Sequence, residues 1–466
     1  MSDLNHGGSP AQFRSLFRSL VLDPGLLFNH VLSSEHLAAA VAQEVGKTCD
    51  RIFTPMVTLC TLLAQVLSDD HSCRAAVARL LAWRVAQGLP PCSADTGSYC
   101  KARQRLPETL LPRLVRDTAD GLQEGAPEAW LFHGRKVILV DGSTVSMPDT
   151  PENQAEYPQH GNQEPGCGFP IARVVVLIAL ATGVVLDAAV GPRKGKLSGE
   201  STLLRGLHGR LTRGDILLGD RCFCSYFEVA LLLSRGVDVV MRQNKNRPVD
   251  FRSGRRLGHD DHLVEWHKPQ RANWMDQETY AAIPEAVTIR ELRVRVAQRG
   301  FRTRTLIVMT TLLDAIEFPH DELATLYRAR WHAELDIGSL KQTLKMDVLR
   351  CRTPEMVRKE IWAHLLVANL IRGVTAEAAR GHDVLPRGLS FQGARQTIQG
   401  FRSELSHAGS SEAEVLREVA LKAIASHRVG DRPDRVEPRV RKRRPKNYPL
   451  MHEPRPKPRK RLGKAA

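Results

Sequence analysis

Two short apolar runs in the middle of the chain are each followed directly by an aspartate. They are Lys136-Val-Ile-Leu-Val-Asp141 and Asp215-Ile-Leu-Leu-Gly-Asp220. Runs of branched aliphatic residues closed by Gly or Ser are typical of buried strands, so we expect both strands to end at their aspartates. Open α/β sheets bind their ligands at such strand ends. Taken alone, however, either aspartate is more often a turn former or a helix cap.

The pattern around these runs alternates strands with helices. Apolar runs at 171–180 and 184–190 flank Thr182-Gly183 and predict a β-hairpin. The next runs predict a helix at 203–211, a strand at 216–220, a helix at 226–234 and a strand at 237–241. This order favours the α/β class with a mixed sheet. Residues 34–124 instead place apolar positions three and four apart, which predicts helices.

A third segment carries polar residues on one face of a predicted helix, which we expect to run from about 321 to 346. Tyr327, Arg330, Glu334 and Lys341 lie at offsets of 0, 3, 7 and 14. On a straight α-helix these offsets fall within an arc of about 60°. The combination suits a metal-binding carboxylate among groups that grip a phosphate. The alternative is a charged face turned to solvent.

The long separation between Asp220 and Glu334 predicts an insertion with its own structure. One helix and one strand would need far fewer residues than lie between them. Alternating apolar and charged residues at 292–296, a turn at 298–300 and an apolar run at 301–309 indicate a β-hairpin with further strands.

The two aspartates and the Tyr-x2-Arg-x3-Glu-x6-Lys spacing together resemble the DDE transposases of bacterial insertion sequences, specifically the insertion-sequence-four (IS4) family. The likeness spans about 54 to 444 and includes Asp141-Gly-Ser and Gly219-Asp220-Arg221. It implies an α/β fold with an RNase H-like mixed-sheet catalytic core, a β-rich insertion and an all-helical N-terminal domain.

The resemblance also assigns roles to particular residues. It implies that Asp141, Asp220 and Glu334 form a catalytic triad that holds two Mg²⁺ ions, for which Mn²⁺ can substitute. It implies that Tyr327, Arg330 and Lys341 bind DNA near the cleaved phosphate. Arg221 would also face DNA, although a salt bridge with a nearby carboxylate is an equal alternative.

A tryptophan of the insertion is a further candidate for DNA binding. In relatives that make a DNA hairpin, a tryptophan of this insertion stacks on an everted base. The resemblance therefore nominates Trp266, with Trp274 as the second candidate. Base–aromatic stacking is worth about 1 to 3 kcal/mol. The alternative is that a strand tryptophan belongs to a small core.

These patterns divide the chain into five parts. They are a helical DNA-binding domain at 1–125, the first part of the core at 130–242, the β-rich insertion at 243–319, the second part of the core with the C-terminal helices at 320–428, and a basic tail at 429–466. Within the first part, a capped helix at 93–105 carries Lys101, Arg103 and Arg105 and is the candidate for recognition of transposon ends.

Charge and composition agree with a nucleic-acid partner. The net charge is +16 and the pI about 9.7, as expected of a protein that binds a polyanion. From 431 to 464 there are 14 Lys and Arg against 4 Asp and Glu, which is +10 of that surplus. This Pro-rich tail is expected to be extended or disordered and to bind DNA without sequence preference; the alternative is a solubilising tail.

The sequence also bears on location. No stretch approaches the roughly 20 apolar residues of a membrane span, and the amino terminus lacks the pattern of a signal peptide. The 9 cysteines are odd in number and scattered, which favours a reducing compartment. We therefore expect a cytoplasmic, nucleoid-associated protein.

The expected function is cut-and-paste DNA transposition. The partners would be double-stranded DNA, both as terminal inverted repeats and as target, and a second copy of the chain in a homodimer that holds both ends. The strand breaks would proceed by end nicking, a DNA hairpin and strand transfer. The alternatives are a catalytically silent DNA-binding relative that inhibits transposition and a general RNase H-like nuclease.

Overall fold

The computed structural model describes residues 27–28, 30–46, 52–195, 198–295, 305–430 and 451–463, and its centre is one mixed sheet of nine strands in the order β3-β2-β1-β4-β5-β9-β8-β7-β6. Strand β1 is parallel to β4, and β4 to β5, whereas the other neighbours are antiparallel. The strands are β1 Val137–Ser146, β2 Ile171–Ala179, β3 Val185–Pro192, β4 Ile216–Gly219, β5 Asp238–Arg242, β6 Arg255–Gly258, β7 Asp261–His267, β8 Ala286–Arg295 and β9 Thr305–Thr310.

In the described part of the chain before the sheet there are five α-helices: α1 Ser34–Glu44, α2 Pro55–Leu67, α3 Cys73–Ala86, α4 Gly97–Arg105 and α5 Leu110–Glu124. The start of α2 follows from local chemistry, because Thr54 accepts a hydrogen bond from the Val57 amide and Pro55 occupies the first turn. Almost every residue of α2 is buried, so this helix is the centre of the helical part. Helix α5 packs against β3, where Arg116 pairs with Asp187.

Both faces of the sheet are covered. One core contains Leu139, Leu218 and Val240 of the three parallel strands, together with helices after the sheet. The other contains Val140, Leu217 and their neighbours with the helices between residues 200 and 282. The helices between strands are α6 Pro151–Glu156, α7 Glu200–Arg205, α8 Tyr226–Ser234 and α9 Gln277–Ala282. Those after the sheet are α10 His320–Ala329, α11 Trp331–Gly338, the 28-residue α12 Pro354–Gly381, α13 Phe391–His407, α14 Ser410–Ser426 and α15 Pro456–Leu462.

The structure confirms several elements that the sequence predicts. The β2–β3 hairpin turns at Thr182-Gly183, where Gly183 has a φ of +80° that favours glycine. Strand β4, helix α8 and strand β5 also fall at the expected positions. The fold is therefore a mixed α/β structure with many helices around one large sheet.

Three expectations differ from the structure. Strand β1 does not end at Asp141 but continues to Ser146, because β2 pairs with it along this whole length. The strands of the insertion do not form a separate sheet, since β9 pairs with β5 and extends the central one. The tail is not wholly extended, since Pro456–Leu462 is helical, while 431–450 and 464–466 lie outside the described residues.

Among the described helices, none combines the length and the apolar character that crossing a bilayer requires.

Candidate active site

Strand register places the two aspartates side by side. Leu139 of β1 pairs with Leu218 of β4, and Leu218 pairs with Val240 of β5. Because side chains alternate between the faces of a sheet, the residues two positions further on share the face of these three. Those residues are Asp141, Asp220 and Arg242. They form what we call the active-site row, on the face that also packs against α10, α11 and α12.

The electrostatics of Asp141 show that three carboxylates lie near one another. Burial raises the pKa of the Asp141 carboxyl to about 6. The Gly142 amide, which donates to Asp141 at 2.8 Å, and the Arg330 guanidinium oppose that rise. The carboxylates of Asp220 and Glu334 add to it. The negative charge of this group is thus only partly compensated within the protein.

The helix that carries the four-residue motif is broken, contrary to the straight helix that the sequence predicts. Helix α10 ends at Ala329 and α11 begins at Trp331, with Arg330 between them. The amide of Arg330 bonds to the Tyr327 carbonyl at 3.1 Å, three residues back, which tightens the chain there. From Ser339–Thr343 the backbone then widens into a π-helical turn.

Despite the break, the motif side chains converge on the active-site row. Arg330 Nη2 donates to Glu334 Oε1 at 2.7 Å. Tyr327 is buried, and burial raises the pKa of its phenol to about 12 against the opposing effect of Arg330 and Arg242. The negative charge of Asp220 raises the pKa of the same phenol further. The phenol is therefore near enough to Arg330, Arg242 and Asp220 for their charges to affect its pKa.

Lys341 belongs to the π-helical turn and is tied to strand β1. Its Nζ donates to Ser143 Oγ at 3.2 Å and to the Thr144 carbonyl at 2.9 Å. These acceptors lie two and three residues beyond Asp141 on the same strand. A π-helical turn inside an α-helix often marks a functional site. Here it lets one ammonium connect the motif helix to the strand of the first aspartate.

Two of the sequence candidates are less engaged. Arg221 follows Asp220 directly and is exposed to solvent. The Asp220 carboxylate accepts a hydrogen bond from the Cys222 amide at 2.7 Å. The Glu334 carboxylate is turned to Arg330. In the described part of the chain, no three carboxylate, imidazole or thiol groups meet closely enough to hold a metal ion.

Both tryptophan candidates are covered by arginines. Trp266 is only 3% exposed; its Nε1 donates to Glu291 at 3.1 Å and Arg247 lies 4.0 Å over its ring. Trp274 is more exposed, but Arg205 lies 3.7 Å over its ring. Trp266 borders a cavity of about 430 Å³. Its burial and the arginine over its ring count against Trp266 as a preformed stacking platform.

In the proposed recognition helix α4, one of the three cations packs against other residues of the protein. Arg103 lies 5.1 Å over the Tyr99 ring and donates to Cys73 Sγ at 3.3 Å. Lys101 and Arg105 remain exposed. The helix therefore offers DNA two cations and not three.

Arg242 is the member of the row that sequence reasoning missed. It closes the apolar run Val237–Met241 in the same way that Asp220 closes its own run, so the strand-end argument nominates it as well. The signal is weak because a cation at a strand end does not suggest a metal site as a carboxylate does. In the described part of the chain no carboxylate lies within ion-pair distance of Arg242, whose charge lowers the pKa of the nearby Tyr327 phenol.

Comparison with known proteins agrees with this geometry. A family model described as a transposase DDE domain matches residues 132–370, half of the chain, which include the active-site row and the whole motif segment. The chain therefore belongs to the DDE transposases, enzymes that cut DNA and transfer its strands. Within that class it is a transposase of the IS4 family, as the resemblance in the sequence indicates.

The relatives support this placement. The transposase InsG for insertion sequence element IS4 of Escherichia coli strain K12 is 28% identical over 362 residues, which cover 75% of this chain and 77% of that protein. The transposase for insertion sequence element IS421 of Escherichia coli is 38% identical over 65 residues, 14% of this chain and 18% of that protein. Among solved structures, the piggyBac transposase synaptic complex with hairpin DNA aligns with 88% of this chain and 86% of the piggyBac chain, at 11% sequence identity. The TM-score of 0.43 is too low for this likeness to decide the fold.

Proposed function

We propose that this transposase moves its element by a cut-and-paste reaction in which Asp141, Asp220 and Glu334 are the catalytic residues. The observation that carries this proposal is the active-site row: two aspartates at matching positions of adjacent strands, beneath the helix that carries the glutamate. On this proposal residues 130–242 form the first part of the RNase H-like core and residues 320–428 its second part with the C-terminal helices. Residues 243–319 form the insertion and residues 1–125 the DNA-binding domain.

The residues present suit divalent cations. Carboxylate oxygens are the ligands that Mg²⁺ and Mn²⁺ prefer. The raised pKa of Asp141 reflects burial and neighbouring negative charge, which a bound cation would relieve. Asp141, Asp220 and Glu334 would hold two Mg²⁺, or Mn²⁺ in their place. When bound, such ions lower the pKa of a water or hydroxyl and stabilise the leaving oxygen of a phosphodiester.

Arg330 has two competing partners in this proposal. Without DNA it holds Glu334 at 2.7 Å. A DNA phosphate offers the same guanidinium a charge-assisted bidentate partner. Transfer of Arg330 to the phosphate would free the Glu334 carboxylate for a metal ion, so DNA binding would assemble the triad.

The other motif residues position the DNA strand. Tyr327 of α10 and Lys341 of the π-helical turn lie at the row, which itself contains Arg242, and Arg221 is exposed just beyond it. Together they would hold the backbone on both sides of the cut phosphate while the freed 3′-hydroxyl attacks. If a DNA hairpin forms, Trp266 would receive an everted base only after Arg247 leaves its ring.

We further propose that two copies of the chain act together, because both ends of an element must be held during excision and insertion. The DNA partners would be the terminal inverted repeats of the element and its target.

A nicking assay on duplexes that carry the two ends of the element which encodes this chain tests the proposal. We expect strand cleavage at the end sequence that requires Mg²⁺ or Mn²⁺. End binding without cleavage would instead support a catalytically silent relative that inhibits transposition. Cleavage with no preference for the ends would support a general nuclease.

A further inference from the structure

The chain that leaves the active-site row after β5 is strongly basic. From Arg242 to Arg256 the sequence holds a single acid, Asp250, and several cations. The cations are Arg242, Lys245, Arg247, Arg252, Arg255 and Arg256. We call residues 242–256 the basic ribbon. No motif of the proposed function includes it beyond Arg242.

The basic ribbon connects the active site to the edge of the sheet. It begins at Arg242 in the row and ends in β6, the outermost strand on that side. Four strand spacings of about 4.8 Å separate β5 from β6, or about 19 Å. This distance corresponds to about five or six base pairs of B-DNA at 3.4 Å each.

Only some of these charges are already used within the protein. Asp250 pairs with Arg252 at 2.9 Å, and Arg247 covers Trp266. Lys245 and Arg255 are exposed, and within the described ranges no carboxylate lies at ion-pair distance from either. A series of exposed, unpaired cations along one segment is typical of a surface that binds the phosphates of duplex DNA.

The opposite side of the row leads to the N-terminal helices. Strands β2 and β3 lie there, and α5 packs on β3 through Arg116 and Asp187. If the helical domain holds the terminal repeat, a straight duplex across the row continues over the basic ribbon. The DNA on that side of the cut is the flank outside the element.

We propose that the basic ribbon binds the phosphate backbone of the flanking duplex, from the cut outwards over five or six base pairs. This inference rests on the proposed function, because it takes the row as the place of cutting. It adds a DNA-binding surface that is separate from both the motif helix and the N-terminal domain.

The test compares two variants with the same loss of charge. Lys245→Gln/Arg255→Gln removes two exposed cations of the ribbon. Arg213→Gln/Arg235→Gln removes two exposed cations just before β4 and β5, at the opposite ends of these strands from the row. Fluorescence anisotropy measures each against three duplexes: the terminal repeat alone, the repeat with 15 flanking base pairs, and an unrelated duplex.

We expect the unmodified protein to bind the flanked repeat more tightly than the bare one. The ribbon variant should lose about tenfold in affinity for the flanked repeat, with a salt slope smaller by about 1.8, and keep its affinity for the bare repeat. The matched control should behave as the unmodified protein does on both.

Several results would overturn the inference. Equal losses on flanked and bare repeats would place the ribbon on the repeat itself. A loss on the unrelated duplex alone would make it a target-binding surface, and no loss would make it a solvated segment. Failure of the unmodified protein to prefer or cleave its own ends is a different result, because it contradicts the proposed function and not the ribbon alone.

Discussion

At the residue scale, the proposed function gives the ion pair between Arg330 and Glu334 a role in the assembly of the metal site. We predict that Arg330→Gln binds Mn²⁺ more tightly than the unmodified protein in the absence of DNA, because Glu334 is no longer held. The gain should be about fivefold, since an exposed ion pair is worth up to about 1 kcal/mol. Isothermal titration with Mn²⁺ alone measures it.

The control for this prediction is Arg328→Gln, which removes the same charge from an exposed position two residues earlier. Arg328 donates to Thr325, and among the described residues no carboxylate lies within ion-pair distance of it. If both variants bind Mn²⁺ as the unmodified protein does, the ion pair does not restrain Glu334. Cleavage should fall in Arg330→Gln even as its metal affinity rises, because glutamine cannot replace the guanidinium that binds the phosphate.

The sequence predicts the identity of these residues better than their geometry. The apolar runs before Asp141 and Asp220 draw attention to these two residues, but only the resemblance to the DDE transposases assigns them a catalytic role. The helix break at Arg330 cannot be predicted in this way. It depends on one backbone hydrogen bond, from the Arg330 amide to the carbonyl three residues back instead of four, which does not change the spacing of apolar residues. Arg242 follows a buried run as the aspartates do, but its position becomes informative only beside Tyr327, which the sequence does not show.

At the element scale, the loop between α2 and α3 meets α12 through two histidines. The ring of His71 is 5.7 Å from that of His364. His71 is buried, and burial lowers its pKa to about 4, with His364 adding to the effect. The other charges facing it are Arg350, Lys345 and Arg395, which also oppose its protonation, and Asp69, which pairs with Arg395.

This arrangement predicts a loss of stability in acid. The unfolded chain binds a proton at His71 below about pH 6.5, whereas the folded chain does so only near pH 4. The free energy of unfolding that His71 contributes is therefore complete above pH 6.5 and falls as the pH drops towards 4, by at most about 3 kcal/mol.

Chemical denaturation of His71→Gln between pH 7 and 4 checks this. The variant should show a flatter pH dependence than the unmodified protein. His267→Gln, at an exposed position of β7, serves as the control and should leave the dependence unchanged. A decline as steep in His71→Gln as in the unmodified protein would show that other groups cause it.

The helix geometry after Glu334 cannot be predicted from the local sequence. Periodicity predicts one continuous helix to about 346, yet the chain makes a π-helical turn at Ser339–Thr343. The reason is tertiary, because Lys341 reaches Ser143 and Thr144 of a strand that is distant in sequence. Such a contact cannot be read from the spacing of residues within the helix.

At the scale of the whole molecule, the sheet runs unbroken from the β2–β3 hairpin to the insertion. The sequence predicts the strands on both sides but treats the insertion as separate, since the pairing of β9 with β5 joins residues far apart in the chain. This pairing fixes the position of the basic ribbon relative to the active-site row, on which the proposed binding of flanking DNA depends.

The basic C-terminal segment gives a prediction at this scale. Truncation after Gly430 removes 14 Lys and Arg together with Asp431, Asp434, Glu437 and Glu453, and so a surplus of +10. Non-specific DNA binding should weaken, and its log–log salt slope should flatten by about 0.9 for each phosphate that the tail neutralises in the full chain, while end recognition survives. A salt slope identical to that of the full chain would mean that the tail does not touch DNA.

The central claim is that Asp141, Asp220 and Glu334 act on the chemical step. The most direct measurement is single-turnover cleavage of end-bearing duplexes by Asp141→Asn, Asp220→Asn and Glu334→Gln, with DNA affinity measured alongside. We expect each variant to lose strand cleavage and to keep DNA binding within about threefold, because the carboxylates serve the reaction and not the grip on the backbone. Full cleavage by any one of them would contradict its place in the triad.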